Sequence, residues 1–113
     1  MVLKLYWKDV NQNVYMLGRL YRENEKYCFD INESELKNAT HHGCFGIGEL
    51  NLLYAKHVSD KLFTFFKRRI PSKDDANIEE IMKELDMKEY DEMEMLAKTK
   101  GELITDRYYV EQE

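Results

Sequence analysis

The chain has few of the residues that mark secreted or membrane-spanning proteins. It contains two cysteines, Cys28 and Cys44, and a single proline, Pro71. Two cysteines do not make a disulfide framework, and no stretch approaches the roughly 20 apolar residues that span a bilayer. The N-terminal residues also lack the basic start and long apolar middle of a signal peptide. We therefore expect a cytoplasmic protein with reduced thiols and no membrane contact.

Familiar catalytic motifs are also missing. The sequence has no G-x-S-x-G nucleophile motif and neither the H-R-D nor the D-F-G motif of a protein kinase. Cys44 and His57 form at most a lone thiol–imidazole pair, without the sequence context of a known nucleophile. The sequence therefore predicts a binding module without a cofactor rather than an enzyme.

A histidine- and glycine-rich loop, Thr40 to Gly48, carries the weak candidates for a metal site. His41, His42 and Cys44 have the side chains that soft metals prefer, and His57 lies further along. Their spacing matches no zinc signature. The simpler interpretation is a loop with two ordinary histidines and one packed cysteine. The loop's glycines are likewise in the wrong order for a phosphate-binding motif.

The composition is that of one globular domain, residues 1–113. Apolar residues make up 43% of the chain and charged residues 35%, as is usual for such domains. Charge is unevenly distributed, since residues 1–73 have a net charge of +4 and residues 74–113 a net charge of −9. The acidic part is typical either of the solvent face of helices or of a surface that meets a basic partner.

The first 31 residues predict three antiparallel strands in a meander. Apolar and polar residues alternate over Val2 to Trp7, Val14 to Arg22 and Lys26 to Ile31, and short polar turns join these segments. Gly18 in the middle of the second strand predicts a bulge or a close approach of backbone. Residues 32–58 predict an irregular connection, with one helical turn over Glu33 to Ala39.

Residues 59–100 predict three short helices. The first covers Leu62 to Ile70, where Leu62, Phe63, Phe65, Phe66 and Ile70 recur at helical spacing. Ser59 would cap this helix and Pro71 would end it. Two further apolar stripes follow.

The second stripe runs from Ile78 to Leu85, behind a cap at Asp75 or Asn77. The third helix begins at a capping-box-like Asp91 with Glu94 and ends at Gly101. Residues 101–113 form the last strand and tail, with the strand over Leu103 to Val110 joining the sheet. The predicted fold class is α+β: an antiparallel N-terminal meander plus a final strand, packed with three short helices.

Three segments resemble the small N-terminal module that precedes the kinase core in HipA-type toxin kinases. Val14 to Leu20 (VYMLGRL) is similar to an early strand of that module, with Lys26 to Ile31 like the aromatic strand after it. Leu62 to Pro71 (LFTFFKRRIP) resembles the phenylalanine-rich helix of that module, which runs into a proline. Asp91 to Gly101 (DEMEMLAKTKG) resembles a later helix of the module. Two segments depart from the pattern. Glu49 to Lys56 lacks a Ser/Pro-rich stretch, and no second glycine follows Gly101.

The resemblance implies a function in a toxin–antitoxin system. In split, three-gene versions of such prokaryotic systems, a separate small protein equivalent to this module acts as the antitoxin of the kinase. The resemblance therefore implies that this chain binds and inhibits a HipA-like serine/threonine kinase, with a DNA-binding protein as the third component. Candidate contact residues are Trp7, Tyr54, Tyr108 and Tyr109 as anchors and Arg68 and Arg69 as rim contacts. Each of these residues also has a structural interpretation, in the core or at the end of a helix.

Two other functions are compatible with the sequence. Lys67, Arg68 and Arg69 together with tyrosines would suit a nucleic-acid-binding accessory protein in a toxin–antitoxin or repressor assembly, although the net charge of −5 disfavours direct binding to nucleic acid. Self-association through apolar and methionine side chains is the third interpretation.

Overall fold

The structure is a computed structural model that describes all 113 residues. Five strands form one antiparallel sheet in the order β4-β3-β2-β1-β5. The strands are β1 (Val2–Lys8), β2 (Val14–Glu23), β3 (Lys26–Ile31), β4 (Lys56–Ser59) and β5 (Tyr108–Gln112). The helices are α1 (Glu33–His41), α2 (Thr64–Lys67), α3 (Ile78–Glu84) and α4 (Glu92–Thr99). The α+β class, the meander and the final strand that joins it are confirmed. The longest helix, α1, has nine residues, and no helix could span a membrane.

The core covers one face of the sheet. Alternation along β1 directs Leu3, Leu5 and Trp7 to this face. Phe29 of β3 and Phe66 of α2 lie in the same core, with ring centroids 5.5 Å apart. The phenylalanine-rich segment therefore supplies core residues, Phe63 and Phe66.

The prediction of a helix over Leu62 to Ile70 is wrong in length, because the observed helix is shorter. Only Thr64 to Lys67 is helical, and Phe63 before it has an extended backbone with ψ of 140°. Ser59 does not cap the helix. It ends β4, and its hydroxyl accepts a hydrogen bond from the Lys61 N–H. A helix this short has little stability of its own, so packing of the phenylalanines, rather than helical periodicity, determines the path of the backbone.

The connection predicted as irregular is more ordered than expected. Nine residues form α1, whose N-cap is Asn32, and Leu36 and Ala39 bury its inner face. Four residues form β4, which pairs with β3. The helical turn predicted over Glu33 to Ala39 lies within α1, so the prediction underestimates only the length of this helix. The strand β4 is not predicted, because it is short and is stabilised by its pairing with β3.

The end of the chain follows the prediction more closely. Asp91 caps α4 by accepting a hydrogen bond from the Glu94 N–H at 2.9 Å. Lys100 and Gly101 then take left-handed conformations that end the helix. The final strand begins at Tyr108 rather than at Leu103, and it pairs with β1 along the edge of the sheet.

Candidate binding groove

One groove of about 350 Å³ is lined by three of the predicted contact residues: Arg68, Arg69 and Tyr108. We call it the arginine groove and define it by Phe45, Arg68, Arg69, Leu103, Asp106 and Tyr108. These residues come from three separate parts of the chain: the loop after α1, the end of α2 and the segment that leads into β5. Folding therefore creates a surface that no single segment contains.

The floor of the groove is a buried ion pair. The Arg69 guanidinium donates to both carboxylate oxygens of Asp106 and, at 3.0 Å, to the carbonyl of Gly101. It also lies beside two aromatic rings that meet edge to face, 4.5 Å from the centroid of Phe65 and 4.9 Å from that of Tyr108. Charge-assisted bonds and two cation–π contacts fix the orientation of this side chain. The rim contact predicted for Arg69 is thus wrong, because the residue is only 7% exposed.

Tyr108 forms one wall of the groove. Its hydroxyl donates to the carbonyl of Gly46 and lies 3.5 Å from the Cys44 sulfur. Burial, followed by the bond with Cys44, raises the pKa of Tyr108 well above its usual value. This tyrosine therefore ties the loop after α1 to β5 as a neutral group.

The lining of the groove includes an unusually exposed apolar side chain. Phe45 is fully exposed, and Leu103, which also lines the groove, is half-buried. Gly46 has a φ of +91°, a backbone conformation that disfavours other residues. That turn places Phe45 outside the core while Cys44 and Ile47 stay buried.

The charges in the groove are unequally engaged. Asp106 is bonded to Arg69, and a Glu49 carboxylate oxygen accepts the Phe65 N–H at 3.0 Å. Arg68 is exposed and forms no salt bridge within the chain. The groove therefore presents one cation, Arg68, and one carboxylate, Glu49, that form no salt bridge within the chain.

Tyr109 lies on the opposite face of the sheet, which no helix covers. We call this surface the open face; its half-exposed residues are Lys4, Tyr6, Lys8, Met16, Arg19, Tyr21 and Tyr109. The rings of Tyr6 and Tyr109 stack across the strands at 5.3 Å, and the Lys8 ammonium lies 5.6 Å from the Tyr109 centroid. Tyr109 is thus separated from the arginine groove by the thickness of the sheet.

Two other predicted contact residues lie outside both surfaces. Trp7 is buried in the core against Tyr15, with ring centroids 5.7 Å apart, so the prediction that it anchors a partner is wrong. Its position in β1 directs it inward, as it does Leu3 and Leu5. Tyr54 is exposed in the loop before β4, and its ring contacts only that of His57 among aromatic neighbours.

The candidate metal ligands do not converge. His41 and His42 are exposed at the end of α1, whereas Cys44 is buried against Tyr108. His57 hydrogen-bonds the carbonyl of Asn51 instead. No group of three or more histidine, cysteine or acidic side chains is arranged to hold a metal ion.

A second groove, of about 460 Å³, lies beside the start of α4. Its polar groups mostly bond within the chain: the Tyr27 hydroxyl donates to Glu92 and the Tyr90 hydroxyl to the carbonyl of Pro71. Burial and the bond to Glu92 raise the pKa of Tyr27 to about 12. We therefore regard this groove as structural.

Sequence reasoning missed Phe45, Leu103 and Ile104 as surface residues. The available signal was weak: an aromatic residue inside a glycine-rich loop, and two aliphatic residues before the last strand. Comparison with models of protein families, with curated proteins and with solved structures found no match to this chain.

Proposed function

We propose that this protein is a non-catalytic protein-binding module that uses the arginine groove. The observation that carries the proposal is the fully exposed side chain of Phe45, which lines the groove together with Leu103, beside a floor fixed by the Arg69–Asp106 ion pair. Exposed apolar groups around a shaped, rigid depression are typical of protein interfaces. Tyr108 and Arg69, which line the groove, are engaged in structural bonds, which favours binding over catalysis.

The partner that we propose is a HipA-like serine/threonine kinase, which the protein would hold inactive as an antitoxin. The support is the resemblance of the strand pair β2–β3, the phenylalanine-rich segment before Pro71 and the helix α4 to the N-terminal module of such kinases. A DNA-binding third component would complete the assembly in the cytoplasm.

A pull-down from native cell extract tests this proposal. The tagged protein is expected to retain a HipA-like kinase in a stoichiometric amount, identified by mass spectrometry. Purified kinase should then lose its phosphorylation activity as the protein is added, with saturation near one equivalent. Recovery of a stoichiometric partner that is not a kinase, or a kinase that stays fully active when saturated, would refute the antitoxin function.

Nucleic-acid binding is the second candidate, and the cations beside tyrosines on the open face favour it. Lys8 lies over Tyr109, and Lys56 lies 5.8 Å from the Tyr21 centroid. Such pairs suit phosphates and stacked bases. Against it, Lys4 and Arg19 both pair with Glu113, which lowers the positive charge available. Affinity for a single-stranded oligonucleotide should fall steeply with salt if phosphates are contacted, whereas an apolar protein interface would be much less sensitive.

A further inference from the structure

We infer that two copies of this chain associate by antiparallel pairing of their β4 strands, with a two-fold axis at Val58. This inference goes beyond the proposed function, because it depends neither on the arginine groove nor on the kinase. It follows from the unpaired edge of β4, from the exposed apolar side chains beside that edge, and from an order of charges that is complementary to itself.

The strand β4 leaves the backbone of one edge without a partner strand. The Ile31 N–H of β3 donates to the carbonyl of Ala55 at 2.8 Å, and hydrogen bonds alternate between the two sides of a strand. Lys56 and Val58 therefore direct their N–H and C=O groups away from β3. The opposite edge of the sheet is partly covered, since Val110 of β5 donates its N–H to a carbonyl just after α4. An unpaired edge is a template for a further strand, and β4 is the edge that offers one.

Exposed apolar side chains are concentrated beside this edge. Leu53, Tyr54 and Val58 are 84%, 64% and 54% exposed. In a two-fold pair centred on Val58, the valines of the two copies would face each other and exchange both of their backbone hydrogen bonds. Tyr54 would lie near the end of β4 in the second copy, because the two strands run in opposite directions. Association would therefore remove apolar surface from water on both copies.

The order of charges along the edge selects a second copy as the partner. In a pair centred on Val58, Lys56 of each copy lies opposite Asp60 of the other. Opposite charges at facing positions favour a strand pair, whereas like charges disfavour it. A pair centred on Lys56 would instead place the two lysines opposite each other. The charges therefore select the register as well as the partner.

Neighbouring charges extend this pattern. Within one copy, Lys56 lies 3.7 Å from Glu23, and Asp60 accepts a hydrogen bond from Lys26. All four side chains are exposed, so these ion pairs are weak and can admit another charge. Asp30, which faces Lys56 across the two strands, already accepts a tyrosine hydroxyl at 2.9 Å. Across the interface the order becomes Glu23, Lys56, Asp60 and Lys26, with the sign changing at each step.

Sedimentation velocity at increasing protein concentration tests the association. Interfaces of this small size are weak, so we expect the dimer to be populated by about 500 µM, which corresponds to a binding free energy of about −4.5 kcal/mol or better. Hydrogen exchange should show that the Val58 amide gains protection as the dimer forms. A chain that stays monomeric up to that concentration would overturn the inference. So would a dimer in which the Val58 amide exchanges as fast as in the monomer.

A proline variant tests the backbone pairing. Val58→Pro removes an N–H that makes no bond to β3, and proline is tolerated at such positions of edge strands. We expect it to weaken the dimer by at least about tenfold. Val58→Thr keeps the N–H and the β-branched shape, and its dimer should be weakened much less. Equal dimerisation of the proline and threonine variants would contradict pairing through β4.

A charge exchange tests the register and the identity of the partner. Lys56→Asp and Asp60→Lys each place like charges opposite one another, and each should weaken the dimer by at least about threefold. The double variant and an equal mixture of the two single variants both place opposite charges together again, so both should associate more tightly than either single variant. Lys37→Asp, on an exposed position of α1, is the matched control and should leave the dimer unchanged. Failure of both the double variant and the mixture to recover association would refute the proposed register.

Discussion

At the scale of single residues, Gly18 is required by a close approach of backbone. Leu5 pairs with Gly18 and Tyr6 with Met16, so Leu17 is the extra residue of a bulge in β2. A Cβ at position 18 would lie 2.4 Å from the carbonyl oxygen of Asp30, and that oxygen belongs to the neighbouring strand.

We expect Gly18→Ala to lower the free energy of unfolding by about 1–3 kcal/mol, because β2 and β3 would have to separate to accept the methyl group. Urea denaturation followed by circular dichroism measures the change. Glu111→Ala, on an exposed position of β5, is the control and should change stability by less than about 0.5 kcal/mol. A variant as stable as the wild type would mean that the sheet is more adaptable than the structure indicates.

Asp9 organises the turn between β1 and β2. Its carboxylate accepts the N–H groups of Asn11 and Asn13 at 2.8 and 2.9 Å and the hydroxyl of Tyr15 at 3.0 Å. Burial alone would raise the pKa of Asp9, but the hydrogen bonds from Asn13, Tyr15 and Asn11 outweigh it and lower the pKa.

Because ionised Asp9 is favoured in the folded state, its stabilisation is present above the unfolded-state pKa of about 3.9 and is lost as the pH falls through the lower folded-state pKa. Asp9→Asn should therefore lower the melting temperature at neutral pH, and this decrease should become progressively smaller in acid. Melting curves across the acid range for both proteins test this. A difference in melting temperature between the two proteins that stays constant down to the lowest pH would show that ionisation of Asp9 does not contribute to stability.

At the scale of elements, packing separates helices that look alike in sequence. Both α3 and α4 have apolar residues at helical spacing, yet α4 buries Met93, Met95 and Leu96 whereas α3 buries none of its residues. Asn77, at the N-cap of α3, also makes no side-chain capping bond. Periodicity indicates which face of a helix is apolar, but not how much of that face the rest of the chain covers.

We expect α3 to open locally more often than α4, because few buried contacts are lost when it does. Native-state hydrogen exchange should show amides of α3 protected at least about tenfold less than those of α4, which corresponds to about 1.4 kcal/mol. The Met95 and Leu96 amides serve as the internal reference. Equal protection in both helices would mean that α3 opens only with the whole domain.

At the scale of the whole molecule, the sheet separates two different surfaces. One face carries the core and, beyond it, the arginine groove; the other is the tyrosine- and lysine-containing open face. The acidic residues lie mostly in residues 74–113, which carry a net charge of −9. On the proposed function, charges distributed in this way would steer a partner during approach, while the apolar groups of the groove would supply affinity.

Much of the fold could be predicted from local signals. The strands β1, β2 and β3 follow from alternation, the bulge from Gly18, and α4 from Asp91 and Gly101, because each signal acts through neighbouring residues. The short helix α2, the strand β4 and the length of α1 could not be predicted in this way, because each is stabilised by contacts that are distant in sequence.

The α+β class, the N-terminal meander, the chemical types available for binding and the excess of acidic charge near the end of the chain all follow from the order of the amino acids. The accessibility of those residues follows from the folded structure. It placed Trp7 and Arg69 inside, put Tyr109 on the opposite face from Tyr108, and brought Phe45 next to Arg68 and Leu103. The physical reason is that residue type fixes what a side chain can bond, whereas burial and proximity depend on strand register and on packing between distant segments.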